Sequence, residues 1–167
     1  MGSLVEQRYW EDVRRGDTVD AVDFPMSLYR LIVIAAGDRD FTPIHHNPQT
    51  ARRHGAPDVF VNNTALFAMW ERTVREYIGP AGVIVHVRGF RMGTFNLVGE
   101  TITVRGDVVR KWRDPKPTGK GHIELRVQTE VAGEVRVGPG SVIVSLPYRG
   151  GPADQSDEQA EVLSPRT

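Results

Sequence analysis

The 167-residue chain contains no cysteine. Disulfides and thiolate metal sites are therefore excluded. It carries no net charge either, with 21 Lys and Arg against 21 Asp and Glu. A protein whose main partner is nucleic acid needs a basic footprint, and that footprint is missing. The same balance gives little electrostatic protection against self-association. No apolar run approaches the roughly 18 residues that a membrane span needs. The amino terminus shows neither the basic nor the apolar region of a secretory leader. No repeat recurs at solenoid periods. Together these absences lead to the expectation of a cytoplasmic protein with no membrane or nucleic-acid partner.

What remains is an ordinary globular composition: 40% hydrophobic and 25% charged residues. That suffices for one domain with a real core. The expected boundaries are a loose end over 1–7, one domain over 8–148 and a disordered tail over 149–167. The tail is rich in Gly, Pro, Gln, Ser, Asp and Glu, which cannot bury enough apolar surface to order themselves.

One stretch concentrates chemistry: Gly37-Asp38-Arg39-Asp40-Phe41-Thr42-Pro43-Ile44-His45-His46-Asn47-Pro48. The apolar run Leu31 to Ala36 leads into it. Gly37 is expected to stop the preceding helix in a left-handed conformation. Pro43 and Pro48 stiffen the backbone around them. The segment reads as a rigid polar loop hung from a buried helix, and loops on packed scaffolds often carry function. Asp40 and His45 stand five apart with Pro43 between them, so a proline turn can converge them on one water. A carboxylate and an imidazole there are equipped to add water to a double bond or remove it. The same residue types also serve as turn and cap residues.

Along the rest of the chain, 20–26 reads as a first strand, with Pro25 marking an edge. Ser27 caps an amphipathic helix over 28–36. Asn47-Pro48 opens a short helix running to His54. Asn62-Asn63 precede the longest helix, 64–78, whose Leu66, Phe67, Trp70, Val74 and Tyr77 share one face. Gly79-Pro80 ends it. Strands are expected over 82–90, from Thr101 to Trp112, over 122–131 and over 135–146. Strand, helices, then at least four strands predict an α+β domain: an antiparallel sheet around one long helix.

Asp40-Phe41-Thr42-Pro43-Ile44-His45 resembles the hydratase motif of the MaoC-like hot-dog proteins, the (R)-specific enoyl-CoA hydratases. The preceding helix, the long helix and the stretch from Phe90 to Gly99-Glu100-Thr101 match in order, so the resemblance covers roughly 8–148. It implies a hot-dog fold that pairs with itself or with a related subunit, as a homodimer or hetero-oligomer. It further implies that Asp40 and His45 activate water for addition to a trans-2-enoyl-CoA, without a cofactor or metal. The thioester oxygen would be held by backbone N–H groups of Asn63 and Thr64, with Asn62 also among the substrate-binding residues. Two positions depart from the usual pattern: Thr42 where the family often has Asn, and Asn62-Asn63 where it usually has His-Gly. The motif together with Asn62-Asn63 and Trp70-Glu71-Arg72 looks most like the actinobacterial branch that hydrates steroid side-chain enoyl-CoA thioesters. An acyl-CoA thioesterase and a non-catalytic subunit of a hetero-oligomeric hydratase are the alternatives.

Arg88 and Arg91 are the candidates for gripping coenzyme A phosphates. Arg110, Lys111, Arg113, Lys116 and Lys120 read instead as a solvated hairpin tip. Asp38 and Arg39 are expected to pair locally. His46, next to His45, lacks a third ligand at zinc spacing.

Overall fold

The computed structural model describes residues 6–114 and 120–150. Five strands form one antiparallel sheet in the order β1-β3-β4-β5-β2. They are β1 (Thr18–Pro25), β2 (Val83–Arg88), β3 (Thr101–Arg113), β4 (Lys120–Val131) and β5 (Glu134–Pro147). Between β1 and β2 come α1 (Leu28–Gly37), α2 (Pro48–Arg53) and α3 (Asn63–Ile78). The expected α+β class and strand number are met. Pro25 does lie on an edge strand, where a missing N–H costs no ladder bond.

The sheet closes on α3 because its long strands alternate. Ile102, Val104 and Val108 of β3, Ile123, Leu125 and Val127 of β4, and Val142, Val144 and Leu146 of β5 are all buried. Each such side chain contributes about 1.5–3 kcal/mol by leaving water. From the helix, Leu66, Trp70, Val74 and Tyr77 enter this core. Trp70 also donates its Nε1 hydrogen to Thr129 Oγ1 on β4 at 2.7 Å, so its one polar atom is satisfied inside. Phe67 departs from the expected stripe: it is 41% exposed and meets Phe90 edge-to-face at 5.4 Å.

Ordered contacts exceed the expected domain limits by one residue at each end. Gln7 donates to the Ile78 carbonyl at 3.1 Å and accepts from the Ala81 N–H at 2.7 Å. Arg149 pairs with Asp12. The rest of the expected tail, 151–167, lies outside the described residues, as do 1–5 of the expected loose end and Lys116. Among the described residues, no helix is long and apolar enough to cross a membrane.

Arg110, Lys111 and Arg113 of the expected hairpin tip are engaged with the scaffold. Lys111 donates to the Val13 carbonyl at 2.6 Å and lies 3.9 Å from the Trp10 ring centre. Arg110 lies over Trp112, and Arg113 over Trp10 and Tyr148. Gly121 on β4 allows Trp10 to approach, since a Cβ there would collide with the indole.

Candidate active site

Asp40 is placed by the end of α1. The helix runs through Gly37, and the left-handed residue is Arg39, with φ of 55°. The expected stop at Gly37 is thus two residues early. The Arg39 N–H bonds the Ala36 carbonyl at 3.2 Å, and the Asp40 N–H bonds the Ala35 carbonyl at 2.9 Å. This paired closure is the Schellman arrangement, which satisfies the last helical carbonyls. It fixes the Asp40 backbone relative to a helix whose Leu31 and Ala35 are buried.

His45 is placed by the proline turn. Pro43–His45 form one 3₁₀ turn, with the His45 N–H on the Thr42 carbonyl at 3.2 Å. The ring is buried and packs edge-to-face on Phe60 at 4.9 Å. Its Nδ1 lies 2.8 Å from the Phe60 carbonyl oxygen. A carbonyl only accepts, so Nδ1 carries a hydrogen and Nε2 is the nitrogen turned to the site. Phe60 is itself fixed by a bridge to Leu97, and by the flanking bonds of Val61 N–H to the Asn96 carbonyl and Val98 N–H to the Val59 carbonyl.

The two side chains converge. His45 Nε2 lies 3.3 Å from Asp40 Oδ2, with the Asp40 side chain 31% exposed and the His45 side chain 8%. One edge of the pair is thus open and the other sealed. Hydrogen bonding from Thr42, through its hydroxyl and then its backbone N–H, holds the Asp40 carboxyl below the ordinary carboxylate range. The charge of His45 and the Asn62 amide act in the same direction, and outweigh the upward pull of partial burial.

The third contributor is the amino end of α3. Asn62 caps this helix, accepting the Ala65 N–H on Oδ1 at 2.8 Å. Its Nδ2 donates to Asp40 Oδ2 at 3.3 Å. Asn63 and Thr64 occupy the first two helical positions and are exposed, and among the described residues their N–H groups have no acceptor. Free N–H groups at a helix start carry positive partial charge and suit a developing oxyanion. A cavity of about 550 Å³ lies between the end of β1, α1 and this side of α3, with Met26, Ile34, Gly37, Asp38, Ala65 and Met69 in its lining. Its volume falls within the range of about 300–1,000 Å³ usual for small-molecule sites, and it is lined by neighbours of the site on α1 and α3, not by Asp40, His45, Asn62, Asn63 or Thr64 themselves.

The structure therefore brings together Asp40, His45 and Asn62, with Asn63 and Thr64 alongside. It does not bring Arg88 and Arg91 to them. Arg88 is an exposed residue of β2 paired opposite Ser141, and lines a separate hollow with Val109, Glu124 and Arg126. Arg91 is exposed, and its carbonyl accepts from Gly138. Among the described residues, no ion pair joins Asp38 and Arg39. His46 is exposed, and no described cluster of three or more His, Asp or Glu is arranged to hold a metal. Sequence reasoning missed two partners. The Phe60 carbonyl leaves no trace in a sequence, because every residue has one. The Asn62 contact to Asp40 spans 22 positions, and only its capping half is visible as an Asn before a helix.

No family model matches the sequence. The chain is 31% identical over 78 residues to the 3-oxo-4,17-pregnadiene-20-carboxyl-CoA hydratase beta subunit of Mycobacterium tuberculosis. That match spans 47% of this chain and 60% of the relative's length. Among solved structures, the ChsH1-ChsH2 complex from Mycobacterium tuberculosis superposes with a TM-score of 0.67 at 23% identity, covering 81% of this chain and 98% of that one. An (R)-hydratase from A. caviae involved in PHA biosynthesis gives 0.68 at 20%, covering 82% and 99%. A MaoC-like dehydratase from Rhodospirillum rubrum gives 0.73 at 17%, covering 85% and 98%. The chain has the hot-dog fold of the MaoC-like dehydratases and (R)-hydratases, and part of its sequence resembles the pregnadiene-carboxyl-CoA hydratase subunit.

Proposed function

We propose that the protein is an enoyl-CoA hydratase that adds water across a trans-2-enoyl thioester to give a 3-hydroxyacyl-CoA. The observation that carries this reading is the 3.3 Å approach of His45 Nε2 to Asp40 Oδ2, beside the free N–H groups that open α3. A water held by both side chains faces the substrate's third carbon. As its oxygen forms a bond there, Asp40 takes its proton and the carbon–carbon double bond shifts to an enolate. The enolate oxygen is stabilised at the Asn63 and Thr64 N–H groups. His45, entering as the imidazolium with hydrogens on both ring nitrogens, then delivers its Nε2 proton to the second carbon, and the proton on Asp40 passes to Nε2 across their contact, which restores both groups. Water's atoms are all accounted for, so the chemistry balances without an electron carrier.

The steroid side-chain substrate class is supported by the similarity to the pregnadiene-carboxyl-CoA hydratase subunit. Pairing with a second hot-dog chain, the same or related, is supported by β2. That strand is at the sheet edge and leaves Val83 and Val85 about half exposed. An unpaired apolar edge is a template for association.

The test is to offer short, long and steroid 2-enoyl-CoA thioesters to the purified chain, alone and with a related subunit. Loss of enoyl thioester absorbance without thiol release supports hydration, whereas thiol release identifies a thioesterase. Asp40→Asn is expected to lower turnover roughly a hundredfold or more, the scale of a positioned acid or base. A near-normal rate in that variant removes the assignment.

A further inference from the structure

We infer that Asn62 is a positioning residue whose side chain clamps the Asp40 carboxylate to the first turn of α3. This rests on the hydratase reading and gives Asn62 a role other than touching substrate. Asn62 is 5% exposed, and both ends of its amide are used within the protein. Oδ1 accepts the Ala65 N–H at 2.8 Å, which fixes the amide's orientation. The NH₂ group then points to Asp40 Oδ2 at 3.3 Å. One planar group thus ties the base to the helix that supplies the oxyanion donors. The two halves of the site come from chain segments 22 positions apart, and this amide bonds to both.

An amide suits this position because it accepts and donates at once. Aspartate caps a helix about as well as asparagine but has no hydrogen to donate when ionised. Serine also caps, with a shorter reach. Among the described residues, His45 is the titratable group facing Asp40, from the proline turn. Thr42 on the loop and Asn62 at the start of α3 are the uncharged donors.

Asn62→Asp separates the two bonds. It keeps the cap and replaces the donor with a second carboxylate. Three measurements read the result: thermal melting, the pH profile of kcat, and carbon-13 titration of the Asp40 carboxyl by NMR. The melting temperature is expected to fall, because a second carboxylate now faces Asp40 at a buried position, and the Asp40 titration moves to higher pH. Turnover is expected to fall roughly 10- to 100-fold, the scale of a misplaced catalytic group, with KM little changed. Asn62→Ala loses both bonds and is expected to melt lower as well. An Asp40 titration unmoved by Asn62→Asp overturns the inference, as does a loss carried by KM alone. If the parent protein hydrates no enoyl-CoA, the hydratase reading fails, and the Asp40 titration still decides whether the clamp exists.

Discussion

His45 Nδ1 lies 2.8 Å from the carbonyl oxygen of Phe60, and this bond determines which ring nitrogen faces Asp40. The acceptor is backbone, so it survives any side-chain change at position 60. His45→Ala is expected to lower hydration roughly a hundredfold or more. Phe60→Leu keeps the carbonyl and loses only ring contacts to His45 and Phe95, so its rate should stay far closer to the parent's. Steady-state rates of the two variants on one enoyl-CoA decide this. Equal losses would mean that the ring contact, not the carbonyl, orients the imidazole.

The pH dependence is set by Asp40. Thr42, His45 and Asn62 hold its carboxyl below the ordinary 3.8. A depressed value means that the base stays ionised until the pH falls through that lower value. The acid limb of kcat/KM contributed by Asp40 should therefore lie below the usual carboxylate range. The same group adds stability that is present above its unfolded value and lost as pH falls through its folded one. Asp40 is about one-third exposed, so solvent screening keeps that contribution small. A pH–rate profile of the parent checks the limb, and Asp40 titrating above the ordinary value would contradict it.

In the core, Trp70 Nε1 depends on a single acceptor, Thr129 Oγ1. Both residues are essentially inaccessible to water. Thr129→Val conserves shape and removes the acceptor, leaving a buried indole N–H unpaired. The expected cost is about 1–3 kcal/mol. For a chain of this size that lowers the melting temperature by roughly 2–4 °C per kcal/mol. Differential scanning calorimetry reads the shift, and no loss would show that the indole finds another acceptor.

Arg39 holds a left-handed conformation that glycine adopts at no steric cost. Its strain is partly offset because glycine also loosens the unfolded chain. Arg39→Gly is expected to stabilise the protein by about 0.5–1 kcal/mol. Chemical denaturation measures this, and destabilisation would mean that the arginine side chain makes a contact worth more than the strain.

Much of the architecture was legible because it rests on local patterns. The alternation in β3, β4 and β5, the Asn47-Pro48 start and the Gly79-Pro80 stop are short-range signals, and each element formed close to its expected place. The Asp40–Pro43–His45 spacing marked the candidate site for the same reason, since one turn brings its ends together. Boundaries set by competition were not legible. A glycine at 37 suggested a left-handed stop there, yet Gly37 is the last helical residue and Arg39 takes the left-handed conformation, with Asp38 to Asp40 closing the carbonyls. Phe67 carried the right spacing for the core, but it lines a hollow with Ile84, Val87 and Val142 and stays 41% exposed. Arg88 and Arg91 have the right charge for phosphates, and that Arg88 lines a hollow apart from Asp40 and His45 was not legible either. The sequence by itself determined the elements and the chemical kinds of residue at the site. Only the tertiary structure decided that a carbonyl at Phe60 turns Nε2 of the histidine to the site and that Asn62 links Asp40 to α3. Hydrogen bonds between distant segments depend on where the packed core puts their backbones, and no local pattern encodes that.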